Sequence, residues 1–159
     1  MDMAKSQPKS DKVTLEASRV IDAPVERLWA EVADFNNIAA WHPAVMESHL
    51  EDAATHPAGN AGAIRVLKLR DGSIVRERLV SIDPSAHRYT YSVLDGQLPL
   101  KNHISSVAMR PLDAHRTEVT WSASFIPAGA PPNTLAEGVR SGVLELGLQG
   151  LADRVRQAH

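Results

Sequence analysis

The sequence predicts an α+β fold in which one long helix near the C-terminus lies across a strongly curved antiparallel sheet. Three observations carry this. Runs with the two-residue alternation of half-buried strands recur between short turn signals. Helical spacing after the first strand is confined to two short stretches, and a much longer helical stretch closes the chain. The 159 residues, 43% hydrophobic and 23% charged, have the size and composition of one globular unit.

Residues 1–12 are polar and aperiodic, so they are expected to form a flexible lead-in to one domain spanning 13–159. From Val13 to Ile21, Val13, Leu15 and Ala17 alternate with Thr14, Glu16 and Ser18, the period of a strand. Asp22 then precedes Pro24, which suits a first helical turn. Val25, Leu28, Trp29 and Val32 share one helical stripe, so a short helix runs to about Asp34. Phe35 to Trp41 can add a further turn, which His42-Pro43 ends because a residue before proline disfavours the α region.

Six strand-like runs follow, roughly Ala44–Glu51, Ala63–Arg70, Ser73–Ile82, His87–Leu94, Asn102–Arg110 and Arg116–Ile126. Asp71-Gly72, Asp83-Pro84 and Pro111-Leu112-Asp113 supply turns, and short connections favour antiparallel neighbours, so with the first strand a seven-stranded sheet is expected. Thr134 with Glu137 has the spacing of a capping box for a helix from about Leu135 to Arg156, about 22 residues or roughly 33 Å long. Gly138, Gly142, Gly147 and Gly150 each cost this helix about 1 kcal/mol relative to alanine. On a regular wheel Leu135, Val139, Val143 and Leu146 fall on one side and Leu144, Leu148, Leu151 and Val155 on the other. Ala136 and Gly147 lie between them, with Arg140 close by. Small residues in the middle of the buried arc mean either close helix-on-sheet packing or a cavity.

Alternation also assigns faces. Val119, Trp121, Ala123 and Phe125 point inward, as do Tyr89, Tyr91 and Val93, and Glu77 falls on the inner face between Val75 and Leu79. A buried carboxylate needs a partner, and Arg65 or His42 are the candidates.

Several function classes drop out. Seventeen basic against nineteen acidic residues, a net charge of −2, give no electrostatic drive toward nucleic acid. The absence of cysteine excludes thiolate nucleophiles and Cys-ligated metals, and the seven histidines are scattered without HxH or HExxH spacing, so no metal or other cofactor is expected. No GxSxG, GxGxxG or GxxxxGK[ST] motif is present. No apolar run is long enough to span a membrane and the N-terminal residues lack a secretory h-region, so a cytoplasmic location is expected. Arg154 and Arg156 complement the final helix dipole.

Ile21-Asp22-Ala23-Pro24 with Trp29, Asp34-Phe35, Trp41-His42-Pro43, Glu77-Arg78-Leu79 before Asp83, and Gly147-Leu148-Gln149-Gly150-Leu151 together resemble the START-like (SRPBCC) superfamily. Within it they are similar to the polyketide cyclase/dehydrase and lipid-transport group, with plant abscisic-acid receptors and birch-pollen-allergen-type proteins as distant relatives. The resemblance covers about Val13 to Arg156 and implies a helix-grip fold enclosing a hydrophobic cavity for a small ligand. It also implies that Arg65, Leu67 and Leu69, and likewise His103 and Ser105, lie on the inner face. By order along the chain it matches His42 and Glu77 to ligand-facing receptor positions, and Tyr91, His103, Ser105 and Trp121 to pocket positions. The receptors' gate loop is here the tight turn Asp71-Gly72, and their latch corresponds poorly to Asp95–Leu100, which argues against a hormone-receptor role.

The expected function is therefore binding of a small apolar or aromatic molecule by a monomer or homodimer. From the sheet, Leu67, Glu77, Leu79, Tyr91, Trp121 and Ala123 are expected to line the site. His42, Arg65, His103 and Ser105 supply its polar groups, and the final helix adds Val143 and Gly147. The alternative is a cyclase, dehydratase or lyase on a polyketide-like or aromatic substrate, with His42 or His103 as base, Glu77 as acid or orienter, and Tyr91 and Arg65 stabilising oxyanion charge. In the non-catalytic reading Arg65 and Glu77 pair internally and His103 bonds a backbone carbonyl. A third expectation is that the Asp95–Lys101 loop gates the cavity or contacts a partner.

Overall fold

The computed structural model describes residues 12–96, 98–129 and 131–157; the expected N-terminal lead-in lies almost wholly outside them. Strand β1 (Val13–Ile21) is followed by helix α1 (Val25–Val32), a 3₁₀ helix (Phe35–Ala40), strands β2 (Val45–Glu51), β3 (Ile64–Leu69), β4 (Ile74–Asp83), β5 (Arg88–Gly96), β6 (Leu100–Pro111) and β7 (Thr117–Pro127), and the long C-terminal helix. The seven strands form one antiparallel sheet in the order β1-β7-β6-β5-β4-β3-β2. Strands β2 to β7 are a meander, and β1 closes onto β7 in a continuous register from Val13 opposite Phe125 to Ile21 opposite Thr117.

Curvature comes from register irregularities: one between Val45 and Glu47 in β2, two along β4, between Arg76 and Glu77 and between Leu79 and Ser81, and one between Lys101 and Ile104 in β6. The last contains Asn102 at φ 52°, a left-handed conformation that asparagine tolerates better than most residues. The Asp71-Gly72 turn forms as expected. Gly72 sits at φ 93°, its N–H donates to the Leu69 carbonyl, and the Asp71 carboxylate accepts from the Ser73 N–H.

The C-terminal helix departs from expectation in two ways. It begins at Pro132, with Pro131 as N-cap and no side-chain cap, so Thr134 and Glu137 lie within the helix and form no capping box. Proline at the first positions loses no hydrogen bond there, since those N–H groups have no helical partner. The helix is also not uniform: α2 (Pro132–Val139) and α3 (Leu146–Gln157) flank a π-helical segment, Arg140–Glu145. The extra residue per turn rotates α3 relative to α2 by about one residue step. That reconciles the two stripes of the regular wheel: Leu135, Val139 and Val143 before the shift and Leu144, Leu148, Leu151 and Val155 after it all pack toward the sheet. Leu146, assigned to the first stripe, is instead 36% exposed.

Beneath α3 the core is dense. Trp29, Phe35, Trp41, Tyr89, Trp121 and Phe125 are all buried, and Arg27 of α1 donates to the Val155 carbonyl near the helix C-terminus at 2.8 Å. No residue of α2 is buried. One half of the helix is thus packed deep into the sheet while the other is only partly buried against it.

Candidate ligand cavity

The space under α2 and the π segment is a cavity of about 440 Å³. Its sheet wall carries Leu67, Val75, Tyr91, Val93, Trp121 and Ala123, all inward by strand alternation. Its helix wall is Val139, Gly142, Val143 and Leu144. The exposed residues Arg70, Asp71, Gly138 and Leu146 mark the opening, joined by Leu98 from the β5–β6 connection and Leu100 at the start of β6. Of the Asp95–Lys101 loop, expected to gate the cavity or contact a partner, Gln97 lies outside the described residues.

Arg65 and Glu77 are paired, as expected. They sit opposite each other across β3 and β4, and the Arg65 Nε and Nη2 both donate to Glu77 Oε1, at 2.9 and 2.8 Å. Nη1 donates to the Phe35 carbonyl at 2.7 Å, and the guanidinium lies 3.8 Å from the Phe35 ring centroid and 5.2 Å from that of Tyr91. Burial alone would lower the Arg65 pKa, but the Glu77 charge and the neighbouring tyrosines outweigh it and the guanidinium is held above its ordinary value.

Both candidate bases have their ring nitrogens engaged. His42 is 3% exposed; its Nδ1 accepts from the Ala44 N–H at 3.1 Å. A backbone N–H can only donate, so the proton resides on Nε2, which donates to the Val143 carbonyl in the π segment at 2.8 Å. Burial pushes this imidazole down to about 4; the bond to Val143 opposes that shift and the Arg65 charge adds to it. At His103, Nδ1 accepts from the Val93 N–H at 3.1 Å and Nε2–H donates to Ser105 Oγ at 2.7 Å. Its backbone partner is thus an N–H, not the carbonyl expected, because β6 carries the ring alongside the N–H of Val93 on β5. Burial pushes it, too, down to about 4. Beside this pair, the Tyr91 hydroxyl accepts from Trp121 Nε1–H at 3.1 Å. Burial first, and then the Glu77 charge, push the Tyr91 phenol up, so it remains neutral.

Of the residues expected to line the site, His42, Leu67, Glu77, Tyr91, His103 and Ser105 do so, with Trp121, Ala123 and Val143. Arg65, Leu79 and Gly147 do not. Arg65 is 1% exposed behind Glu77, its guanidinium lying over the Phe35 ring, and cannot reach a ligand's oxyanion. Leu79 is fully buried below the cavity floor. At Gly147 a Cβ would lie 2.4 Å from Trp121 Cζ3 and 2.7 Å from His42 Cδ2, so this glycine marks close packing, not space. The space lies at Gly138 and Gly142, where a Cβ would meet nothing within 4 Å. Ile38 and Val45, contributed by the 3₁₀ helix and the edge strand, carry no periodic signal that marks them as wall residues. Among the described residues no group of three or more His, Asp or Glu is arranged to hold a metal ion, and no helix is long and apolar enough to cross a membrane.

No curated protein matches this chain significantly in sequence. Among solved structures, a solution NMR structure from Thermobifida fusca is 34% identical, with a TM-score of 0.77 over 92% of this chain and 95% of that one. The protein XoxI from Bacillus cereus shares the fold at 23% identity, with a TM-score of 0.80 over 91% of this chain and 96% of its own. So does the Zhui aromatase/cyclase from Streptomyces sp. R1128 at 16% identity, with a TM-score of 0.75 over 93% and 96%. The family model described as polyketide cyclase / dehydrase and lipid transport matches residues 12–156. With its helix-grip architecture and inner cavity, the chain belongs to that family.

Proposed function

We propose that this protein binds a small, largely apolar or aromatic molecule in the cavity beneath α2 without converting it. The observation that carries the reading is the state of the two histidines. Both are neutral, both hold their proton on Nε2, and both have the Nδ1 lone pair engaged by a backbone N–H. A general base needs a lone pair directed at the proton it removes, and neither ring has one to offer. Arg65, the residue suited to stabilising an oxyanion, is walled off by Glu77. What remains is an apolar enclosure of ligand size with a few fixed polar groups, the usual form of a small-molecule site.

Conversion as in a cyclase is the second reading, and the family match supports it. In this cavity it would have to run through Glu77, among the described residues the one cavity-lining carboxylate away from the opening. Native mass spectrometry of freshly purified protein, followed by extraction, separates the two readings. Binding predicts an additional mass that is lost on denaturation and whose extracted molecule is returned unchanged after prolonged incubation with wild type. Turnover of that molecule by wild type, abolished in Glu77→Gln, His42→Gln or His103→Gln, would overturn the binding reading.

A further inference from the structure

Glu77 is not used up by its partner. Both Arg65 donors converge on Oε1, and among the described residues no hydrogen bond reaches Oε2. The residue is 8% exposed and lines the cavity. This oxygen is reachable from the cavity, where water can donate to it; a molecule that displaces that water without supplying a donor of its own forfeits a hydrogen bond to a charged acceptor, so the position favours an occupant that carries a donor.

The charge balance limits what that donor can be. The Arg65–Glu77 pair sums to zero, and the remaining polar groups at this depth are hydroxyl, indole and imidazole. Tyr91 is held neutral, and His42 and His103 stay uncharged down to about pH 4. An anionic ligand would bring an uncompensated charge up against the Glu77 carboxylate, and an ammonium would leave the pair with excess positive charge in an apolar enclosure. Resting on the proposal that the cavity is a binding site, we infer that it selects a neutral apolar or aromatic molecule bearing a hydroxyl, whose O–H donates to Glu77 Oε2. A phenol or an alcohol fits this description; a carboxylic acid, the head group of a fatty acid, does not.

Four probes that share one ring system test this at neutral pH by fluorescence or calorimetric titration: naphthalene, 2-naphthol, 2-methoxynaphthalene and 2-naphthoate. Naphthalene reports on the cavity alone, 2-naphthol adds a donor, the methyl ether keeps the oxygen without the donor, and the acid adds a charge. Wild type is expected to bind 2-naphthol about 10- to 100-fold more tightly than 2-methoxynaphthalene, the ratio for one hydrogen bond to a charged acceptor, and 2-naphthoate more weakly than naphthalene. In Glu77→Gln the amide oxygen can keep the Arg65 bonds while NH₂ replaces Oε2, so the preference for naphthol over its ether should vanish or invert. Equal affinities of naphthol and its ether in wild type, or naphthoate as the tightest ligand, would overturn the inference while leaving the cavity reading intact. If none of the four binds, the cavity reading itself fails and the inference with it. The wild-type ranking decides the matter alone if Glu77→Gln does not fold.

Discussion

The two halves of the C-terminal helix use the same residue for opposite purposes. In α3, Gly147 and Gly150 permit contact: a Cβ at Gly150 would lie 2.0 Å from the Trp41 carbonyl oxygen and 2.6 Å from Pro43 Cδ. Gly138 in α2 and Gly142 in the π segment face open space. The first pair lets the helix seat on the Trp41–Pro43 corner, fixing α3 against the sheet. The second pair keeps side chains out of the volume beneath α2. The π segment between them, pinned by His42 through the Val143 carbonyl, is where packed helix gives way to cavity roof. A glycine's helical penalty is the same at either end, so only the distance to the neighbouring chain tells which benefit offsets it.

The largest effect should come from placing a methyl group at the packed end. Gly150→Ala drives a Cβ into a backbone carbonyl that cannot rotate away, with a cost on the order of 4 kcal/mol or more; chemical denaturation should find the variant largely unfolded. A variant of wild-type stability would contradict the close approach of α3 to Trp41.

Next in size is the buried pair behind the cavity. Arg65→Met leaves Glu77 without its cation, at a cost of about 3 to 5 kcal/mol, and much less in the presence of Glu77→Gln. Denaturant melts of the double-mutant cycle should be strongly non-additive; additive losses would mean the two groups are not coupled.

The two histidines then predict an acid sensitivity. The unfolded chain takes up a proton at each near pH 6.5, while the folded rings resist until about 4. Between those values the unfolded state binds more protons, so stability falls as the pH drops through this window, by up to about 3 kcal/mol per histidine, and levels off below it. NMR titration should find both imidazoles neutral at pH 5; a midpoint near 6.5 for either would show it to be solvated.

The smallest effect has the opposite sign. Gly138→Ala adds a methyl group where nothing obstructs it and should stabilise the fold by up to about 1 kcal/mol. A loss comparable to that of Gly150→Ala would erase the distinction between the two halves.

What could be read in the sequence follows the same division. The strands and the inward position of Glu77 between Val75 and Leu79 were legible because alternation has a fixed period of two, whereas the period of β3 is ambiguous and the inward position of Arg65 followed only from the family resemblance. The seating of the final helix was not. The stripes Leu135–Val139–Val143 and Leu144–Leu148–Leu151–Val155 do hold the signal of an inserted residue, but a single 3.6-residue wheel separates them to opposite sides. Its start was misjudged because Thr134 and Glu137 have a capping-box spacing, whereas Pro131-Pro132 fix the N-terminus. Gly147 gives no sequence signal that separates cavity lining from close packing, because a small residue in a buried arc is compatible with contact and with space alike. The engagement of both histidines depends on backbone N–H groups brought close by the fold, which no side-chain pattern encodes.

The cavity lies under the π segment and α2, and Gly142→Leu tests that placement most directly. A leucine there can extend into the cavity without meeting protein within 4 Å at its Cβ. Titration of the folded variant with an environment-sensitive apolar dye is expected to show a melting temperature at or above that of wild type and dye affinity reduced about tenfold or more. Unchanged dye affinity in a folded Gly142→Leu protein would contradict the placement of the cavity.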